Sequence, residues 1–264
     1  MNFFFKLLFL VTIVFSTKAA CQHRFTYEVI FKIDSTNLAN EQTEFFNLDY
    51  MEGKSIFYNE AFARLDSIIS NGGSLNRSDV PSPQLDLLVT KDLRTKEVSF
   101  VELLGFTSYA IKDPRPLNWK IVPETKTLGN QQLQKALATF GGRNWTGWFT
   151  TEINISDGPY KFHGLPGLIV ELHDEKSHYV FQLSKISSIA TAFNLKSFEK
   201  LGIKTLSLDY PRFLALRKVY QENPEKFYFD IINATGMKIE SQEIKMIISQ
   251  SKLRQSKRNN LIEL

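Results

Sequence analysis

Residues 25–33 read Phe-Thr-Tyr-Glu-Val-Ile-Phe-Lys-Ile, apolar positions alternating with mostly polar ones. That is the period of a strand buried on one face. Thr43–Leu48 and Lys54–Tyr58 continue the pattern. The period then changes. Asn59 stands as a helix cap before Phe62, Leu65 and Ile68/Ile69 at helical spacing, and Gly72-Gly73 stops the run. Asn71–Pro83 is rich in Gly, Ser, Asn, Asp and Pro and predicts a surface loop. Strand patterning resumes at Leu85–Thr90, Glu97–Leu103, Phe106–Ile111 and Trp119–Val122, punctuated by Lys91-Asp92, Gly105 and Asp113-Pro114-Arg115-Pro116. Short strands at this spacing predict an antiparallel sheet, not alternating βαβ units. Asp209 opens a helix with Pro211 in its first turn and Phe213, Leu216, Val219 and Tyr220 on one side. Asn223-Pro224 ends it and caps another short helix.

The clearest patterning lies between Asn144 and Gln182. Ser156-Asp157-Gly158-Pro159 has the composition of a turn. In Gly164-Leu165-Pro166-Gly167, Pro166 fixes its own φ and Gly167 accepts a positive one, which predicts a type II turn. Leu168–His173 and His178–Leu183 form a hairpin around Asp174–Ser177, which sets His173 opposite His178, Leu172 opposite Tyr179 and Val170 opposite Phe181. One face then carries Leu168, Val170, Leu172, Tyr179, Phe181 and Leu183. The other carries Ile169, Glu171, His173, His178, Val180 and Gln182, and a slip of one residue would scramble that separation.

Composition turns this pattern into a fold class. Aromatics make up 13% of the chain, 22 of them Phe, which favours pleated, half-buried surfaces. The expected fold is mainly β (α+β): a single antiparallel curved sheet or half-barrel with two or three accessory helices. Residues 1–21 are set apart. Lys6 precedes the apolar run Leu7–Phe15, too short to span a bilayer and suited to a secretory signal peptide. Cleavage is expected after Ala19 or Cys21, and Lys18 stands where a lipid-anchoring motif places an aliphatic residue. Taking 21 residues from 264 leaves 243, a single β-rich domain over 22–264 with a basic C-terminal tail. Cys21 is the one cysteine, so no disulfide forms within the chain. The net charge of +4 includes Lys6 and Lys18, which leaves about +2 on the mature chain. The local cluster Lys252, Arg254, Lys257 and Arg258 reads as a solvated face, and no nucleic-acid partner is expected. No second apolar run is long enough for a transmembrane span.

Candidate chemistry is sparse. His163, His173 and His178 lie within 16 positions, and a cross-strand His173–His178 pair near Glu171 has the spacing of a metal chelate. The plainer reading is two exposed polar residues at a hairpin end. No G-x-S-x-G, phosphate loop or dinucleotide fingerprint occurs, so neither a catalytic residue nor a cofactor is expected. Trp145, Trp148, Phe149, Tyr160 and Phe162 line a hydrophobic or carbohydrate-binding groove or, the commoner case, belong to the core.

Gly158-Pro159-Tyr160-Lys161-Phe162 and Gly164-Leu165-Pro166-Gly167-Leu168-Ile169 together closely resemble the GLPGLI family of exported proteins from Bacteroidetes-type bacteria. Gly141-Gly142-Arg143, Trp148-Phe149-Thr150, Glu152-Ile153 and the closing Asn259-Asn260-Leu261-Ile262-Glu263-Leu264 extend the resemblance over most of the chain. Members often carry a cysteine before a Lys-Ala pair, whereas Leu133-Gln134 precede Lys135-Ala136 here. The resemblance implies a periplasmic, outer-membrane-associated or secreted location and brings no catalytic residue with it. The expected function is a non-catalytic envelope protein that binds an apolar small molecule, or an outer-membrane or periplasmic protein. The alternatives are a metal-dependent hydrolase built on the three histidines and a structural component of the outer membrane.

Overall fold

The computed structural model describes residues 22–71, 83–85, 87–104, 107–191, 193, 205–236 and 240–263. The leader over 1–21 with its cleavage sites and Cys21, most of the Asn71–Pro83 loop, Gly105, Phe106 and Leu264 lie outside the described residues.

Six strands come first: β1 (His23–Phe31), β2 (Gln42–Met51), β3 (Lys54–Asn59), β4 (Leu88–Asp92), β5 (Glu97–Leu104) and β6 (Thr107–Asp113). Helix α1 (Glu60–Ser70) interrupts them after β3. Five more follow: β7 (Lys120–Leu128), β8 (Gln131–Phe140), β9 (Arg143–Thr150), β10 (Leu168–Asp174) and β11 (Tyr179–Ser188). The short β12 (Thr205–Leu208) leads into α2 (Tyr210–Glu222), α3 (Pro224–Thr235) and α4 (Ser241–Ser256).

The strands make one sheet in the order β12-β6-β5-β4-β3-β2-β1-β11-β10-β9-β8-β7. Two antiparallel meanders, β1–β6 and β7–β11, join at the β1–β11 ladder. β12 adds to β6 in parallel. The expected single antiparallel sheet or half-barrel is thus corrected to a large, mixed, twelve-stranded sheet that is not closed, with four α-helices among the described residues. β12 does not pair with β11, its neighbour in sequence, so no tight hairpin imposes an antiparallel ladder on it.

The link between β6 and β7 shows that the sheet cannot be flat. These strands lie ten places apart in the order. At about 4.8 Å per strand a flat sheet would separate them by about 48 Å. Asp113 to Lys120 is only seven residue steps, a reach of about 25 Å. The sheet therefore rolls, and its concave face wraps one core. Ile111, Phe100, Val89, Phe57, Leu48 and Phe25 stand in one row of cross-strand partners on that face, all buried.

The β10–β11 hairpin differs from the expected one by two positions in register. His173 pairs with Val180 and Leu172 with Phe181. The four-residue loop is Glu175–His178, because Asp174 ends β10 by accepting the Tyr179 amide on its carboxylate at 2.9 Å. A two-residue shift keeps each β11 side chain on its expected face. On β10 a bulge at Val170 breaks the alternation. Ile169 pairs with Phe149 and Glu171 with Trp148, so Ile169 and not Leu168 shares the inner face with Leu172.

Asn59 caps α1 by accepting from the Ala61 amide at 2.9 Å. The helix lays Phe62 and Ala63 on the outer face over Ile56, Tyr58 and Leu88. Asp209 caps α2 and Asn223 caps α3, as their side chains and following prolines predict. α2 presents Phe213 edge-on to Phe100 of the concave face, with 5.3 Å between ring centres. No helix among the described residues is long and apolar enough to cross a membrane.

Candidate functional site

Residues 151–167 link β9 to β10 as an irregular segment that starts at the surface and sends 157–162 and Leu165 inside the sheet as a plug. Asp157, Tyr160, Lys161, Phe162 and Leu165 are all buried. Phe162 packs among Trp145, Phe140 and Trp119 with ring centres 4.7, 5.7 and 5.9 Å away. Backbone groups of the plug and its exit are tied from outside it. Tyr27 Oη donates to the Ile169 carbonyl at 2.7 Å, and Trp119 Nε1 donates to the His163 carbonyl at 2.9 Å. Lys91 Nζ, on the inner face of β4, lies 2.5 Å from Asp157 Oδ1 and donates to the Gly158 carbonyl at 2.6 Å. Burial lowers the Lys91 amine's pKa, and Asp157 partly restores it.

The plug leaves through a turn tighter than the expected type II. The Gly167 amide donates to Leu165, two residues back, at 2.8 Å, so the turn closes around Pro166 alone. Gly167 has φ 150°, and a Cβ there would lie 2.0 Å from the Thr150 carbonyl oxygen. Gly158 is needed for a different reason, since a Cβ would meet Ile169 at 2.8 Å. Tyr160 adopts φ 54° without being glycine, a strained conformation that its packing and hydrogen bond hold in place.

A cluster of charges fixes the plug to both the sheet and the C-terminus. Lys161 Nζ lies 2.9 Å from Asp113 and 2.7 Å from Glu263. Arg115 pairs with the same two carboxylates at 2.5 and 2.7 Å. Tyr160 Oη donates to Glu263 at 2.6 Å, and the Lys161 ammonium sits 3.7 Å from the Phe100 ring centre. Two cations thus face two carboxylates. Burial pushes the Asp113 carboxyl up, but Arg115 and Lys161 outweigh it and hold the group at about 2. Glu263 is lowered in the same way, with Lys161 opposing burial. Burial, then Glu263, raises the Tyr160 hydroxyl well above its ordinary value.

The last residues are therefore anchored instead of trailing free. Asn260 accepts from Arg143 Nη2 at 2.7 Å through its side chain and from Tyr179 Oη at 2.5 Å through its carbonyl. Its own amide donates to Ile33 at 3.0 Å. The expected basic tail is the end of α4 and the turn after it, where Lys252 pairs with Glu225 at 3.2 Å and Arg258 donates to the Gln84 carbonyl.

Beside this cluster a cleft of about 680 Å³ opens between the concave face of β4–β5 and helices α2 and α4. Its wall includes the buried Leu85, Leu87, Val89, Phe100, Leu104, Phe213 and Ile262. Tyr160, Lys161 and Glu263 border it where it meets the plug, and Gln84, Glu102, Arg217, Gln221, Gln250 and Arg258 line its more exposed parts.

The aromatic residues singled out from sequence separate into three places. Trp145, Phe149 and Phe162 are packed in the core, each no more than 2% exposed, and present no free ring to a ligand. Trp148 lies on the opposite, outer face, with Lys126 4.5 Å from its ring centre and paired to Glu171. Only Tyr160 borders the cleft. Of the motif residues, Gly158, Pro159, Gly164, Leu165, Pro166 and Gly167 belong to the plug and its exit, and Leu168 and Ile169 open β10.

The histidines do not converge as a cross-strand pair. His163 Nδ1 is 3.1 Å from the Lys161 carbonyl inside the plug, and its pKa is lowered by burial and then by Lys91. His173 sits on β10 opposite Val180, and His178 lies in the loop with its carbonyl accepting from Lys32. Among the described residues no group of three or more His, Cys, Asp or Glu side chains is arranged to hold a metal ion. The residues that sequence reasoning missed are Lys91, Asp113, Arg115, Glu263 and the cleft wall. Lys91 and Asp113 read as punctuation between strands, and only their inward register marks them.

Residues 141–171, which span β9, the plug and the start of β10, match a family model described as a protein of unknown function (Porph_ging). No curated protein sequence matches the chain. Two solved structures share the fold: the structure of PNGF-II in the P21 space group, with 15% identity and a TM-score of 0.53, and that of PNGF-II in the C2 space group, with 16% identity and the same TM-score. The match covers 74% of this chain in each case, but only 33% and 32% of those chains. The chain thus spans about a third of their length, and the likeness is one of fold alone. In sequence, the plug and its flanking strands are similar to a Bacteroidetes-type family of unknown function.

Proposed function

We propose that this chain is an exported binding protein of the bacterial envelope that holds an apolar small molecule between its rolled sheet and its C-terminal helices. The carrying observation is the cleft of about 680 Å³, within the 300–1,000 Å³ typical of ligand sites and walled by aliphatic and aromatic side chains. The charges nearest it, Lys161 and Glu263, are fully engaged with Asp113, Arg115 and Tyr160. Such a neutralised cluster acts as a foundation for the plug. Export is part of the proposal and is supported by the signal-like pattern of Lys6 and Leu7–Phe15.

The test is native mass spectrometry and solvent extraction of the protein isolated from its own envelope. The expected result is a stoichiometric apolar adduct, together with a mature N-terminus at Ala20 or Gln22. Repeated isolation without an adduct, and failure of the purified protein to take up an apolar fluorophore, would overturn the binding reading. An intact Met1 on the isolated protein would overturn export.

A further inference from the structure

Lys91 ends the inward row of β4, and the plug carries Asp157 up against its amine. Both side chains are fully buried, with Nζ 2.5 Å from Oδ1. Neither has a second ion-pair partner among the described residues. Tyr27 and His163 feel the Asp157 charge, but their polar atoms meet the Ile169 and Lys161 carbonyls instead. The carboxylate is only half satisfied. Oδ1 accepts from the Gly158 amide at 2.8 Å, whereas the buried Oδ2 has no hydrogen-bond partner. An ion pair held in this way carries a desolvation cost that its single contact does not offset. The geometry also suits a reaction. Cγ stands one C–O bond, about 1.2 Å, beyond Oδ1, so Nζ is within about 3.7 Å of it. That is close to the separation of about 3–3.5 Å at which groups are poised to react. Burial favours the neutral amine, which is the nucleophilic form.

We propose that Lys91 and Asp157 condense to an intramolecular isopeptide bond that clamps the plug to β4. The Nζ–Cγ bond forms and the Cγ–Oδ2 bond breaks. Oδ2 leaves as water with two of the three ammonium protons, and the third stays on nitrogen. The two charges cancel, so no oxidant, reductant or activating group is consumed. The product keeps the contacts of the pair. Oδ1 still accepts from the Gly158 amide, and the remaining N–H still faces the Gly158 carbonyl, 2.6 Å from Nζ. The oxygen that the reaction removes is the one without a partner. The bond ties the first meander to the segment between β9 and β10, in a chain whose one cysteine can form no internal disulfide. It is independent of the cleft and of any ligand there.

Mass spectrometry of the purified, denatured mature protein tests the bond. The intact mass should fall one water molecule below that of the sequence. A tryptic digest should remain uncut after Lys91 and should yield a branched peptide that joins the Lys91 and Asp157 segments. Lys91→Met should return the full sequence mass. Asp157-Gly158 can lose the same water by closing to a succinimide, and the two products are distinguishable. With a succinimide, trypsin still cuts after Lys91, no branched peptide forms and the deficit persists in Lys91→Met. That result, or a full sequence mass in the unsubstituted protein, overturns the proposal. The branched peptide decides the matter even where Lys91→Met does not fold.

Discussion

Replacing Lys161 by Met tests whether the buried charge cluster holds the plug. The substitution keeps most of the side-chain volume and removes one of two cations facing Asp113 and Glu263. Arg115 remains within reach of both carboxylates, so a single uncompensated negative charge is left inside. Breaking a buried pair in this way costs about 3–5 kcal/mol. For a domain of this size each kcal/mol corresponds to about 2–4 °C, so the melting temperature should drop by about 6–20 °C.

The pH dependence supplies a second reading of the same variant. Asp113 titrates at about 2 in the folded protein against 3.8 ordinarily, which corresponds to about 2 kcal/mol. Because the folded value is the lower one, this stabilisation is complete above about pH 4 and is lost as the pH falls through 2. Without Lys161 both carboxyls should take up protons at higher pH, so acid unfolding of Lys161→Met should begin earlier and its deficit should shrink near pH 2. Urea unfolding at pH 7 and at stepped pH values measures both. A deficit under about 1 kcal/mol at pH 7, or a pH curve parallel to that of the unsubstituted protein, would refute the reasoning.

Gly167→Ala places a methyl group against the Thr150 carbonyl at a φ that L-residues rarely adopt. It should cost at least about 3 kcal/mol in a urea titration. Phe162→Ala empties the ring cluster around Trp145 and should cost about 3–5 kcal/mol, whereas Trp148→Ala on the outer face should cost under about 1.5 kcal/mol by the same assay. Removal of residues 259–264 takes away the acceptor of Tyr160 and some, not all, of the partners of Arg143 and Lys161. Limited proteolysis of that truncation should show cleavage within 151–167 that the full chain resists.

The strands were legible where one face is buried and the alternation is clean, as in Phe25–Phe31 and Glu97–Leu104. The helix starts at Asn59, Asp209 and Asn223 were legible because capping is local chemistry. β8 was not, since Gln131–Phe140 is made largely of residues that favour helices, and its ladders to β7 and β9 decide its state. The faces of β11 were readable, but the hairpin's register and the faces of β10 were not, because the Asp174 carboxylate closes the loop on the Tyr179 amide and the bulge at Val170 puts Ile169 in place of Leu168 on the inner face. The plug motif stood out from its glycines and proline. What it plugs did not, because Asp113, Lys161 and Glu263 lie 48 and 102 positions apart along the chain and meet only when the sheet rolls. The aromatic run pointed to the core, while the cleft wall is assembled from β4, β5, α2 and α4, none of which marks a site alone.

The central claim is that the space between the rolled sheet and the C-terminal helices is a ligand site. Ile247 lines that space from α4 and is only partly buried, so Ile247→Trp fills it from the helical side without disturbing the sheet. Fluorescence titration with diphenylhexatriene measures the outcome directly. The account predicts one saturable site per chain in the unsubstituted protein and its loss in a folded Ile247→Trp variant. Saturable binding that survives the substitution unchanged would contradict it.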